Sequence, residues 1–225
     1  MPIRPPAPSE EPAMAALLAT AFFEESLFGQ TIHPYRHAHP ADVKIFWSEK
    51  VRKAWSTPNQ RLLVATTTLP ENGSEEKITG VAIWERQGDD EGRKVVEREW
   101  VGVDPQAFPP LPPTNNAISP TKRTILTDAY PFFSHFWHGS RAQNWYLEIL
   151  AVHPDHAGQG FGRELVTWGL DRARKEGVHA SVVASEGADA FYLKCGFGAV
   201  VGNCTVGVGN PLLGVGGGDV LFMVP

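Results

Sequence analysis

Leu150-Ala-Val-His-Pro-Asp-His-Ala-Gly-Gln-Gly-Phe-Gly162 joins two elements of different period. Ahead of it, Trp145 to Val152 is apolar and β-branched and reads as the strongest strand in the chain. Behind it, Leu165, Val166, Gly169, Leu170 and Ala173 repeat at helical spacing, with Lys175 in the last turn and Gly177 as the C-terminal cap. Between them lies Gly158-Gln159-Gly160-Phe161-Gly162. Glycines at a strand-to-helix junction let backbone N–H groups approach a ligand closely, and the helix N-terminus adds a positive dipole. That combination suits a phosphate or pyrophosphate. A P-loop requires GxxxxGK[ST], which is absent, and GxGxxG fails because its last glycine falls on Arg163 or on Leu165. Glycines that merely tighten the turn remain the alternative.

A second informative stretch follows at Ala190-Phe-Tyr-Leu-Lys-Cys-Gly-Phe197. Ala188, Phe191 and Cys195 mark one face of a short helix that Gly196 closes. The run 150–162 resembles the acetyl-CoA-binding motif of the GNAT superfamily of acyl-CoA N-acyltransferases, and 190–197, with its Tyr four residues before Gly-Phe, resembles that family's C-terminal helix motif. The tone of 184–192 is similar to fungal members. The match covers roughly a quarter of the chain. Two departures stand out. Ala157 occupies the position where the family carries Gln or Arg, and Ser185 stands where many members carry Asn.

The resemblance implies one α+β domain over 1–225, with a mixed, mostly antiparallel sheet splayed at a cofactor cleft and flanked by helices. It implies acetyl-CoA as cosubstrate. Backbone groups of Leu150, Ala151 and Val152 would pair with the pantetheine as an added strand, and Ser185 would also touch it. Backbone N–H groups of Ala157, Gly158, Gln159, Gly160, Phe161 and Gly162 would hold the pyrophosphate, with Arg163 and Lys194 either adding charge or simply facing solvent. Tyr192 would donate to the departing sulfur; packing in the helix is the alternative role.

The chemistry needs a proton acceptor, since a lysine-like ammonium has a pKa of about 10.4. Glu148 lies two residues before Leu150 and is expected on that residue's face. A carboxylate within an apolar strand needs a function or a partner, so a base and a salt-bridged Glu both stand. His153 is a weaker candidate. Cys195, expected on a buried face with Phe191, reads as an inert hydrophobe. His33, His37 and His39 read as exposed loop histidines rather than metal ligands, so no metal is expected.

The remaining elements fit around this unit. A helix with Ser9 as N-cap carries Met14, Leu17, Leu18, Ala21 and Phe22, and another after Pro40 carries Val43, Phe46, Trp47, Ala54 and Trp55. Phe28 to His39 reads as loop and is placed by the resemblance on the acceptor side. Arg61 to Thr67 and Ile78 to Trp84 read as strands joined by a turn at Pro70-Glu71-Asn72-Gly73. Gly88 to Pro120 reads as an inserted loop, with a strand at Val95 to Val101. Phe132, Phe133, Phe136 and Trp137 give a short aromatic helix, Ser181 to Ala184 a strand, and Ala199 to Val206 and Val220 to Val224 the last two. The Gly-rich segment 206–219 is expected to be a flexible loop.

Composition narrows the class. With 225 residues, 42% of them hydrophobic, the chain has enough material for one sizeable core. A net charge of -5 with mixed signs argues against nucleic acid as partner. Two cysteines outside any CxxC pair fit a reduced compartment, no run is long enough to cross a bilayer, and a cytoplasmic location is expected. The expected function is transfer of acetyl to a primary amine, on a small molecule or a peptide, by direct attack. The alternative is a non-catalytic acyl-CoA-binding module. A homodimer is the assembly to test.

Overall fold

Seven strands form one mixed sheet in the computed structural model, which describes residues 3–68 and 76–225. In chain order they are β1 (Ile3–Arg4), β2 (Gln60–Thr68), β3 (Glu76–Gln87), β4 (Asn144–Val152), β5 (His179–Ala184), β6 (Val200–Asn203) and β7 (Asp219–Met223). The helices are α1 (Glu11–Ala21), α2 (Pro40–Trp55), α3 (Glu91–Arg98), α4 (Ile125–Phe133), α5 (Phe161–Glu176) and α6 (Asp189–Cys195). The spatial order is β1-β2-β3-β4-β5-β7-β6, antiparallel except where β4 runs parallel to β5. The expected α+β architecture is the one observed. The turn expected at 70–73 lies outside the described residues.

Strand alternation feeds two cores. Leu63, Trp84, Trp145 and Leu147 face α5, where they meet Leu165 and Leu170, with Val182 of β5 in the same core. Val64, Ile83 and Ile149 face the other way, onto Met14 and Leu18 of α1 and Trp47 of α2. Fully burying each such large side chain contributes about 1.5–3 kcal/mol. Polar ties fix the position of α5 on the sheet. Trp84 Nε1 donates to the Leu165 carbonyl at 3.1 Å. The fully buried Arg86 binds Glu176 at 2.8 Å and Asp90 at 2.7 Å, and Trp145 Nε1 also reaches Glu176.

Several local expectations are corrected. Val95 to Val101 is not a strand. Asp90 caps α3 by accepting from the Arg93 amide at 3.0 Å, Arg93 pairs with Glu97 one turn on, and of this helix only Val96 is buried. Ser9 is not the N-cap of α1; a 3-10 turn Pro8–Glu10 precedes it, with Glu10 accepting from the Ala7 amide and pairing with Arg4. Phe28 to His39 is not all loop, since Ser26–Ile32 winds into a wide π-type turn capped by Glu25. The aromatic helix starts earlier, at Ile125, and continues as a 3-10 turn over Ser134–Trp137. The segment 206–219 is a run of pinned turns. Asn210 donates to the Cys204 and Val206 carbonyls and accepts from Leu212, whose side chain is buried.

Candidate active site

The parallel pairing of β4 with β5 ends at Leu147 opposite Val182, yet β4 runs on to Val152. From there the two strands part. Beyond the fork β5 pairs only with β7, through Val183 and Ala184, and β4 only with β3, through Ile149 to Val152. The β5-facing backbone edge of residues 148–152 is therefore free of strand partners among the described residues. Unpaired backbone edges accept an extended amide-bearing chain as an added strand.

A bulge sits at the fork. Ile83 pairs with Ile149 and Trp84 with Leu147, so Glu148 has no opposite residue. The extra residue shifts the phase of β4: Trp145 and Leu147 face α5, whereas Ile149 and Ala151 join the α1/α2 core and Leu150 and Val152 pack toward α5. Glu148 therefore does not share the face of Leu150, as simple alternation implied. It points to the α2 side, where Lys50 Nζ donates to Oε1 and Gln60 Nε2 to Oε2, the latter at 3.0 Å.

At the far end of the fork the chain turns through the glycines. Gly158 and Gly160 adopt φ of 75° and 92°, a region that side chains with a Cβ rarely enter. Gly160 caps α5, whose first amide bond runs from Glu164 N to the Gly160 carbonyl. The amides of residues 158–163 have no acceptor among the described residues. The Ala157 amide is different, because it donates to the Pro154 carbonyl at 3.0 Å. Gly162 permits close packing: a Cβ there would meet Phe191 at 3.3 Å and Val152 at 3.5 Å.

Tyr192 is the buried residue of α6, its ring against Phe191 and Phe197. Its hydroxyl has no hydrogen-bond partner among the described residues, and burial pushes its pKa well above the ordinary phenol value. The group stays protonated and able to donate. Phe191 is not on the buried face expected for it, being 37% exposed, while Cys195 is half-buried with its thiol pushed up by desolvation. Lys194 and Arg163 lie exposed, and neither forms an ion pair with a described residue.

A cavity of about 140 Å³ opens beside the fork, bounded by Ile149 on one arm and by Val183, Ala184 and Ser185 on the other. Glu148 and Lys50 line it, as do Tyr146 and Glu25. Sequence reasoning missed the last three. Tyr146 alternates with Glu148 on the strand, which was a usable signal. Lys50 and Glu25 carry none, because helix packing alone brings them to β4. Glu25 is half-buried; its Oε2 accepts from the Leu27 and Phe28 amides at 3.0 and 2.6 Å, and desolvation raises its pKa. Tyr146 is pushed up in the same way. The histidines stand apart from this site. His33 is fully buried, not exposed, with Nδ1–H donated to the Phe28 carbonyl at 2.5 Å, whereas His37 faces Glu24. Among the described residues no cluster of three metal ligands exists.

Residues 129–197 match the model of the acetyltransferase (GNAT) family. The matched segment includes β4, the glycine turn, α5, β5 and α6. No curated protein is significantly similar to the chain in sequence. Among solved structures, the histone acetyltransferase HPA2 and related acetyltransferase from Corynebacterium glutamicum superposes with a TM-score of 0.61 at 17% identity, over 99% of this chain and 95% of that one. The Drosophila melanogaster polyamine N-acetyltransferase, which forms N-acetylagmatine, gives 0.59 at 15% identity over 100% and 99%. The paia N-acetyltransferase of Thermoplasma acidophilum, in complex with coenzyme A, gives 0.51 at 10% identity over 100% and 98%. At these identities the structural likeness establishes the fold. The family model thus accounts for residues 129–197, and the structural likeness extends the same fold over the rest of the chain.

Proposed function

We propose that the protein transfers acetyl from acetyl-CoA to a primary amine by direct attack. The observation that carries this reading is the fork between β4 and β5, with free amides at one end and a polar cavity at the other. Residues 150–152 would receive the pantetheine on their unpaired edge. The amides of 158–162 at the N-terminus of α5 would hold the pyrophosphate, with Arg163 and Lys194 adding charge. That fit rests on the two left-handed glycines and on the donors that no protein group uses. Ala157 would contribute shape only, since its amide is already bonded. Ser185, at the rim of the cavity, would touch the pantetheine.

The acceptor arrives as an ammonium and loses one proton to reach the attacking form. Glu148, at the bulge, and Glu25, across the cavity, are the carboxylates placed to take it, directly or through water. The nitrogen then bonds to the acetyl carbon. As the C–S bond breaks, Tyr192 gives its proton to the sulfur and regains one from the nitrogen, so that one acetyl moves and one proton is released. The unpartnered, protonated phenol supports that role, and a donor at the sulfur stabilises charge where it develops. It also favours a working enzyme over a non-catalytic acyl-CoA-binding module, which has no use for such a donor.

A cytosolic location belongs to the same proposal; among the described residues no helix is long and apolar enough to cross a membrane. Thermal unfolding with and without acetyl-CoA tests the cofactor site, because a ligand of the folded state alone must raise the midpoint. Release of free CoA with an amine tests transfer. No midpoint shift at saturating cofactor would refute the site, and binding without release on any amine would favour the binding module.

A further inference from the structure

The acceptor side is built by chain segments outside the two GNAT-like motifs. Leu126 and Phe133 of α4, Leu212 and Val215 of the turn-rich segment 206–218, and Leu27 and Phe28 of the π-type turn line the cavity. These three segments share a small core of Ile32, Ile125, Ala129 and Leu212, completed by Ile118 from the stretch before α4, all buried. The wall is therefore packed against a core rather than draped over the site.

We propose that this cavity takes a compact primary monoamine with an apolar body about the size of one six-membered ring, its ammonium received by Glu25. The inference rests on the transferase reading above and narrows its acceptor. Three observations carry it.

The first is charge. Three ionisable side chains of fixed sign line the cavity: Glu25, Glu148 and Lys50. Lys50 is paired with Glu148. Glu25 pairs with no cationic side chain among the described residues, although it is half-buried and held in place by two backbone amides. A desolvated carboxylate without a cation is costly, and an incoming ammonium removes that cost. Of the carboxylates that line the cavity, Glu25 alone is unpaired and provides for one cation; Glu186, near enough to raise the Glu25 pKa, does not line it. The second ammonium of a polyamine would meet either Lys50 or apolar wall.

The second observation is lining. Apart from these groups, the lining is mainly aliphatic and aromatic; its other polar side chains are Tyr146, Ser185, Cys204 and Thr205, and none comes from α4 or from residues 212–215. A peptide acceptor brings an amide at every residue, and against the Leu, Phe and Val wall of α4 and residues 212–215 each would lose its water with no polar side chain to replace it.

The third is size. An apolar cavity of about 150 Å³ holds a benzene ring, and the volume here is about 140 Å³. Drug-sized ligands occupy pockets of about 300 Å³ or more.

The test uses the intact protein with benzylamine, isobutylamine, spermidine, agmatine and a dipeptide amide. Two readouts run in parallel: CoA release at saturating acetyl-CoA, and thermal stabilisation by each amine with and without CoA. Benzylamine or isobutylamine is expected to exceed the others in kcat/KM by about tenfold or more. Glu25→Gln should raise KM for the favoured monoamine about ten- to hundredfold, the range for loss of a charge-assisted contact, with KM for acetyl-CoA unchanged. Leu126→Glu supplies a second carboxylate at a position already 37% exposed, so folding should survive, and preference should move toward spermidine. A wild-type preference for spermidine, agmatine or the dipeptide overturns the inference and leaves the transferase reading intact. So does an unchanged amine KM in Glu25→Gln, or a lack of both turnover and stabilisation with every monoamine. Absence of any acetyl-CoA effect overturns the transferase reading instead, and the ranking of amine stabilisation still decides the cavity's selectivity.

Discussion

Gly169→Ala perturbs the contact that sets α5 on the sheet. Glycine in a helix interior is about 1 kcal/mol less favourable than alanine, so propensity alone favours the change. The structure opposes it. A Cβ at 169 would lie 2.3 Å from Trp84 Cε2, 2.4 Å from Cζ2 and 2.5 Å from Cδ2. Carbon atoms pack at about 3.5–4.0 Å, so helix and ring must separate by roughly 1 Å. The ring has nowhere to go, being fully buried and tied to the Leu165 carbonyl at 3.1 Å. Overpacking costs about 1–3 kcal/mol and loss of the indole hydrogen bond about 0.5–1.5 kcal/mol. After the propensity gain, net destabilisation of about 1–3 kcal/mol remains, which lowers Tm by about 2–12 °C for a chain of this length. The shift should also weaken CoA binding, because the amides 158–163 ride on the same helix. Thermal and urea unfolding of the free protein, followed by CoA titration, measure both effects. A Tm equal to or above wild type, with unchanged CoA affinity, would refute the account of how α5 is seated.

Tyr192→Phe keeps the ring and removes the donor, so fold and CoA affinity should persist while single-turnover rates fall by about 100- to 10,000-fold; an unchanged rate across pH would make Tyr192 a packing residue. Gly160→Asp combines a left-handed backbone that resists a Cβ with a negative charge beside the free amides, and CoA binding should be severely weakened in a protein that still folds; normal CoA affinity would leave the glycine turn a structural feature only. Desolvation raises the Glu25 pKa, so the folded state holds that proton to higher pH than the unfolded chain does. Its contribution to stability therefore falls as pH rises through the interval between the unfolded and the raised folded pKa. Glu25→Gln should remove that loss, giving a stability advantage over wild type that grows from acid to neutral pH; an advantage independent of pH would contradict the assignment.

The glycine turn and its helix were legible because each depends on local rules. Gly158 and Gly160 announce backbone that only glycine adopts readily, and the stripe from Leu165 to Ala173 announces a helix face. Strand order around β4 was legible only in outline. Val95 to Val101 looked like a strand, but capping by Asp90 and the Arg93–Glu97 pair wind Glu91–Arg98 into a helix, and Val101 follows it outside any strand. His33 looked like a surface residue and is buried, because the π-type turn folds it against Phe46.

By itself, the sequence determined the elements whose cause is local: the glycine turn, the helix carrying Tyr192 and the apolar strands, and its two motifs resemble those of one acetyltransferase family, whose model matches residues 129–197. Tertiary structure alone decided the cavity proposed for the acceptor. The bulge that turns Glu148 away from Leu150 is a mismatch of register between two strands, which neither strand encodes separately. Glu25, Lys50 and Glu148 stand far apart in the chain and meet only because helices and sheet pack there. Long-range packing chooses among local possibilities according to the volume and charge of neighbours supplied by other segments, and those neighbours set the shape and charge of the cavity.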